Sequence, residues 1–373
     1  MRLYDTARGE VVPFEPGPVV TMYTCGITPY DAAHLGHAAV YLTFDVLQRR
    51  LRDLGHETRC VRNVTDVDDD ILRKARELGV HYLDLAAEEM ARFDADMGAL
   101  GLLPAWSEPR ATSAISEILS LIGLALEGGH AYQSAGAVYF DVTTFPGFGK
   151  VSHLDPAAML DLAAEHGGRP DDPAKRHPLD FVLWQPSLPD EPAWESRWGP
   201  GRPGWHIECS ALALRELGST VDVHGGGRDL VFPHHECETA QSESVTGQRF
   251  VRHWLHVGLV GLGGIKMSKS LGNLVFVGEL LKDWEAAAIR LALLSHHYRP
   301  DWEWLDQDLG TAAARLARWR ASGAAGDADV ARAGVGQRLD DDLDTPGALV
   351  WLDRCAEDGL ELGPAAELLG VTL

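Results

Sequence analysis

An apolar, β-rich run at residues 19–25 is the first strongly patterned stretch of the chain, and it predicts a strand. A turn-rich segment follows at 26–30, with Pro29 at its centre. Helical spacing then begins near His34 and ends near Leu54, where Gly55 can close the helix. A second strand is expected at 57–64. Strand, glycine-containing turn, helix, strand is a βαβ unit, so a parallel sheet with right-handed crossovers is expected. The pattern is helical from 69 to 103 and again from 111 to 127. A hairpin-like stretch at 137–142 leads into a polar, Pro- and Gly-rich block at 145–203, which reads as an insertion between two halves of the sheet. Strand signals return at 221–224 and 256–260. After Val277 the chain reads as helical, with a flexible gap at 321–334.

Composition narrows the class. The 373 residues, 45% hydrophobic and 24% charged, suit a soluble globular protein of two or three domains, or one large domain with an appendage. They exclude a disordered chain, a collagen and a small disulfide scaffold. The net charge of −22 favours solubility and argues mildly against broad contact with phosphate backbones. The N-terminus lacks an apolar signal core, and the apolar stretch 286–295 is short and broken by Arg290. A cytoplasmic protein without membrane contact is expected. Its five widely spaced cysteines (Cys25, Cys60, Cys209, Cys237 and Cys355) are then reduced, serving as metal ligands, catalytic groups or buried packing.

Two motifs change the picture. His34-Leu35-Gly36-His37 opens the first helix, and Lys266-Met267-Ser268-Lys269-Ser270 follows a later strand. Taken separately they could be surface histidines and a solvated basic loop. In this order after strands of a parallel sheet they suit nucleotide activation. A helix N-terminus offers N–H groups to phosphate, and histidine and lysine donors stabilise charge on an α-phosphate under attack. Cys25, Cys209 and His234 offer two thiolates and one imidazole, a borderline-soft set suited to Zn²⁺ with one position open for substrate. Glu238, one helical turn beyond His234, leaves open whether it is a fourth ligand. His235 and Cys237 read as neighbours of the ligands. The acidic run Asp66, Asp68, Asp69, Asp70 reads as a solvated helix start.

Together with Cys25 to Asp31, Asn63 to Asp66, Gly204 to Cys209, His224 to Gly227 with Asp229, and Phe232 to Glu236, these motifs resemble the class I aminoacyl-tRNA synthetases over residues 20–310. More narrowly they resemble the cysteinyl branch. The resemblance implies an α/β fold: a Rossmann-like parallel sheet in two halves (1–70 and 204–277), an inserted α/β region (71–203) and a C-terminal helical domain (278–373). It implies ATP with Mg²⁺, one Zn²⁺ on Cys25, Cys209 and His234, and catalytic roles for His34, His37, Lys266 and Lys269. It also implies that Cys25, Gly26, Ile27, Thr28, Val40, Asn63, Val64, Thr65, Trp205, Gly227, Arg228, Asp229 and Val260 line the cysteinyl-adenylate site. Thr28, Trp205 and Asp229 would orient the amino acid, and Val260 would meet the adenine through backbone atoms.

The branch contains a tRNA-charging enzyme and a ligase of mycothiol biosynthesis that joins cysteine to glucosaminyl-inositol. The chain is more similar to the ligase in Gly26 to Asp31 with His34 to Ala38, in Ala288 to Tyr298 and in Asp341 to Ala348. Arg169 stands where the ligase has aspartate, and Val40 where it tends to have threonine. The 103 residues after Ser270 are shorter than a helical bundle with an anticodon-reading domain would need, so no such domain is expected. An ATP-dependent, AMP-forming ligase acting on L-cysteine and an aminosugar-inositol is expected, without tRNA and as a monomer.

Overall fold

A computed structural model describes residues 1–267, 272–322 and 326–373, and for Lys266 the backbone only. A short antiparallel ribbon, β1 (Arg2–Asp5) and β2 (Glu10–Pro13), comes first and has no counterpart in the sequence pattern. Then come β3 (Val19–Ile27), α1 (Leu35–Asp53) and β4 (Glu57–Val64), close to expectation. The helical stretch from 69 is two helices, α2 (Asp69–Leu78) and α3 (Tyr82–Ala99). Gly79 ends α2 in a left-handed conformation, φ 68°, which glycine adopts without strain.

The inserted stretch holds α4 (Ile115–Glu127), β5 (Ala131–Ser134), β6 (Ala137–Phe140), α5 (Pro156–Glu165), β7 (Phe181–Gln185) and β8 (Arg202–Pro203). β5 to β8 form an antiparallel sheet in chain order. The chain returns through α6 (Trp205–Leu217), β9 (Val221–Gly227), α7 (Glu236–Thr246) and β10 (Val251–Val257). The main sheet runs β10-β9-β3-β4, all parallel.

The single strand predicted at 256–260 is in fact the end of β10 and the start of β11 (Val260–Leu262), which belongs to another sheet. Gly258 lies at the break. A β-carbon there would come within 2.2 Å of the Pro300 carbonyl oxygen, so only glycine lets the chains pass this closely. β11 pairs with β12 (Ile265–Lys266) and with β13 (Trp302–Glu303). The C-terminal part comprises α8 (Val277–Leu280), α9 (Ala286–Leu294), α10 (Gln307–Ala321), α11 (Ala328–Leu339), α12 (Thr345–Glu357) and α13 (Gly363–Ala366). The flexible gap expected at 321–334 is thus partly helix. Gly334 and Gly336 serve close packing: a β-carbon on the first would meet the Trp351 ring at 2.1 Å, and on the second the Arg50 guanidinium at 2.9 Å.

Two apolar cores flank the sheet. Val20 and Met22 of β3 face α1 and the C-terminal helices, while Tyr23 and Cys25 face α4 and α6. Period-two alternation dictates that split. A register shift between Thr24 and Ile27 then returns Ile27 to the first side. Among the described residues, no helix is long and apolar enough to cross a membrane.

Candidate active site

The main strands end together at their C-terminal edge, where open α/β sheets place ligands. Cys25 lies near the end of β3 and is 6% exposed. His234 and His235 lie in the one-turn segment Val231–His235 between β9 and α7, and Glu238 is in the first turn of α7. Ligand atoms of Cys25, His234, His235 and Glu238 all lie within 4.8 Å of one another, and all four residues are buried. Cys25 Sγ is 3.2 Å from His235 Nε2, and Glu238 places one carboxylate oxygen 3.0 Å from His234 Nε2 and the other 3.0 Å from His224 Nε2. Cys209, buried on α6, interacts with Cys25 and His234.

The charges in this cluster are strongly displaced. The hydrogen bond from Cys25 pulls the Cys209 thiol down to about 6 against its burial, with His234 assisting. Burial would raise Glu238, but His224 and His234 hold it down to about 2. Burial would lower His234, yet Glu238 and Cys209 hold it up to about 10. The Cys25 thiol is pushed well up, by burial first and then by Cys209. Buried anionic groups with one imidazolium among them form a site that calls for positive charge. Thiol, imidazole and carboxylate donors fit a borderline-soft divalent ion.

His34 caps α1: its Nδ1 accepts from the Gly36 N–H at 3.1 Å. Its ring stacks on His37 with centroids 3.8 Å apart. Both therefore stand at the helix N-terminus.

The chain matches the family described as "tRNA synthetases class I (C) catalytic domain" over residues 11–314. It is 49% identical over 367 residues to an L-cysteine:1D-myo-inositol 2-amino-2-deoxy-alpha-D-glucopyranoside ligase of Streptosporangium roseum, covering 97% of this chain and 90% of the relative. It is 51% identical over 368 residues to the ligase of the same name from Parafrankia sp., covering 97% and 83%. The chain belongs to this ligase family. In fold it is similar to Mycobacterium tuberculosis methionyl-tRNA synthetase in complex with methionyl-adenylate, with TM-score 0.68, 18% identity and 94% of this chain covered against 82% of that one.

Several residues expected in the adenylate pocket lie at the C-terminal edge of the main sheet, while Val40 lies on α1 and Val260 in the sheet of β11. Gly26 and Ile27 end β3, and Thr28 follows. Asn63 and Val64 end β4, and the Thr65 N–H donates to the Ile27 carbonyl at 3.0 Å. The Asn63 side chain accepts from the Gly26 N–H at 2.8 Å and donates to the Thr65 hydroxyl at 3.1 Å. Trp205 opens α6 and stacks on His234 with centroids 4.4 Å apart. Gly227 ends β9, and exposed Arg228 and Asp229 form the turn beyond it. Arg228 is paired with Asp301 at 3.0 Å. Val40 is half-buried on α1. Val260 is buried in β11, and its carbonyl accepts from the Met267 N–H at 3.0 Å. Lys266 is in β12, and Lys269 lies outside the described residues.

The sequence pattern did not single out the histidines behind the cluster as a group. His235 Nδ1 is 2.6 Å from His256 Nε2, whose ring in turn reaches the Thr6 hydroxyl at 2.7 Å. His206 Nδ1 lies 2.9 Å from His234 Nδ1. His206 sits within a recognisable motif, but only tertiary contact reveals its partner. Glu208, beside Cys209, is fully buried, and neither of its carboxylate oxygens has a hydrogen-bond partner among the described residues. Burial and the nearby Asp68 push its carboxyl well up.

Gly26 is the tightest point of this edge. A β-carbon there would lie 1.4 Å from the Asn63 carbonyl oxygen, so β3 and β4 would have to part. Gly26→Ala is expected to cost at least about 3 kcal/mol, the upper range for overpacking a fixed backbone. Urea unfolding measures this, and a stability within about 1 kcal/mol of wild type would refute the close approach.

Proposed function

We propose that the protein activates L-cysteine with ATP and transfers it to the amine of 1D-myo-inositol 2-amino-2-deoxy-alpha-D-glucopyranoside. The observation that carries this reading is the buried Cys, His and Glu cluster at the sheet edge beside the His34–His37 helix start, in a chain about half identical to ligases of that name. In the first step the cysteine carboxylate attacks the α-phosphate, forming the mixed anhydride and releasing pyrophosphate. In the second the acceptor amine attacks the anhydride carbonyl. The amide C–N bond forms, AMP leaves, and the amine loses a proton.

Cys25, Cys209 and His234 hold a zinc ion in this reading, with Glu238 and His235 within reach. Zinc supplies a thiolate-seeking position, which separates cysteine from serine far better than an apolar pocket can. Thr28, Trp205 and Asp229 orient the amino acid, and Asn63 keeps Gly26 in place beneath it. His34 and His37 stabilise charge on the phosphates with Mg²⁺, together with Lys266 and Lys269. The Val260 carbonyl keeps a second lone pair for the adenine amino group. Residues 1–70 and 204–277 serve as the activating unit, and the protein works as a monomer that needs no tRNA.

A paired acceptor assay tests the reading. Purified protein with cysteine and ATP is given either the aminosugar-inositol or unmodified tRNA, and AMP release and new cysteinyl products are followed. A cysteinyl amide and AMP with the aminosugar alone are expected. Charged tRNA alone would replace the proposed acceptor with tRNA.

A further inference from the structure

The start of α2 has a run of three aspartates, two of them bonded to the turn after β3 and one to β8. The Asp69 carboxylate holds Arg202 of β8. Asp70 accepts from the Tyr30 hydroxyl at 3.3 Å. Asp68 does two things at once: Oδ1 caps the helix by accepting from the Ile71 N–H at 3.0 Å, and Oδ2 accepts from the Thr28 hydroxyl at 2.7 Å. Asp69 is exposed and Asp70 half-exposed, in keeping with the helix start that the sequence pattern predicts, whereas Asp68 is only partly exposed. Burial holds the Asp68 carboxyl up to about 6, and the helix cap and Thr28 only partly offset that.

A hydroxyl carries one proton and two lone pairs. The Thr28 proton is given to Asp68, so Thr28 can offer only lone pairs to anything else that approaches it. Thr28 stands just past the end of β3, beside the pocket where the amino acid is placed. A lone-pair acceptor there binds an ammonium group most strongly, through a charge-assisted hydrogen bond, and gives nothing to a group that carries no proton to donate. We infer that Asp68 is a positioning residue for substrate selection: by fixing the Thr28 hydroxyl as an acceptor, it makes the pocket select substrates bearing a protonated α-amino group. The inference rests on the reading of this site as a cysteine-activating one.

Asparagine caps helices as well as aspartate does, so Asp68→Asn is expected to fold. Its amide oxygen stays on the Ile71 N–H, and its NH₂ turns to Thr28. The hydroxyl must then accept, and its own proton swings toward the substrate ammonium. In cysteine-dependent ATP–pyrophosphate exchange the KM for L-cysteine is expected to rise about ten- to hundredfold, the range for losing a hydrogen bond to a charged group. The KM for ATP should not move. Use of 3-mercaptopropionate, which has the thiol and carboxylate but no ammonium, should be unaffected.

Thr28→Val should give a similar rise. The double variant should be no worse than either single one, because Asp68 acts through Thr28. An unchanged cysteine KM in Asp68→Asn would overturn the inference. So would effects that multiply in the double variant, since Asp68 would then act on the substrate by its own charge. A wild-type protein without exchange would overturn the reading of the site, and this inference with it.

Discussion

Replacing Cys209 by alanine is expected to remove bound zinc and cysteine activation together. Cys209 comes from α6, whereas Cys25 comes from β3 and His234 from the segment before α7. Glu208, next to it on α6, has no hydrogen-bond partner among the described residues, and burial pushes its carboxyl well up. Two effects therefore combine. The site loses one of its two thiols, and His234 loses one of the two anions that hold its pKa up. Metal content by elemental analysis and exchange by labelled pyrophosphate should fall in parallel, activity by about a thousandfold or more, as for the loss of a group acting directly in the transition state. Cys355→Ala is the control. That thiol is buried in α12, among the C-terminal helices, and its loss should leave both readings near wild type. Retention of zinc and exchange by Cys209→Ala would end the metal assignment.

What could be read from the sequence follows physical lines. β3, α1 and β4 were legible because strong local signals coincide: apolar runs for strands in a covered sheet, and Gly55 after a periodic helix. α5 was not, although Asp155 caps it and Pro156 begins it, because the surrounding Pro- and Gly-rich composition masked a ten-residue helix. β8 has two residues and exists only because β7 lies beside it. The split between β10 and β11 depends on the approach of Pro300, a contact distant in sequence. In the site, Cys25, Cys209 and His234 were legible as motif residues. His235 was read only as a neighbour of the ligands in the same turn. The Val231–His235 turn is irregular, with Phe232 in an extended conformation, so both histidines face the cluster. Asp68, Asp69 and Asp70 do form the helix start, though that chemistry does not reveal their partners on Thr28, Arg202 and Tyr30; Asp66 departs from the reading, buried ahead of the helix and accepting from Thr112.

Arg290→Met is expected to be the most destabilising single change outside the site. Arg290 interrupts the apolar run of α9, yet it is only 1% exposed. Its guanidinium is fully engaged: Nε donates to the Leu369 carbonyl at 2.6 Å, Nη1 to the Leu100 carbonyl at 2.9 Å, and Nη2 to the Asp45 carboxylate. Asp45 lies on α1, the helix that carries His34 and His37 at its start. The C-terminal tail closes over the same group, since a β-carbon on Gly370 would fall 2.2 Å from Nη2. One side chain thus joins α1, α9, the segment after α3 and the tail. Methionine fills much of the volume but leaves two carbonyls and part of a carboxylate buried without donors. Breaking a buried pair from one side costs about 3–5 kcal/mol. Asp45 keeps the Leu103 N–H at 2.7 Å and Arg49 at 2.8 Å, so a loss of about 3 kcal/mol is expected. Urea unfolding should show it as a lower midpoint with an unchanged slope. A single Arg290→Met variant within about 1 kcal/mol of wild type would mean that the four segments are held by their apolar contacts alone.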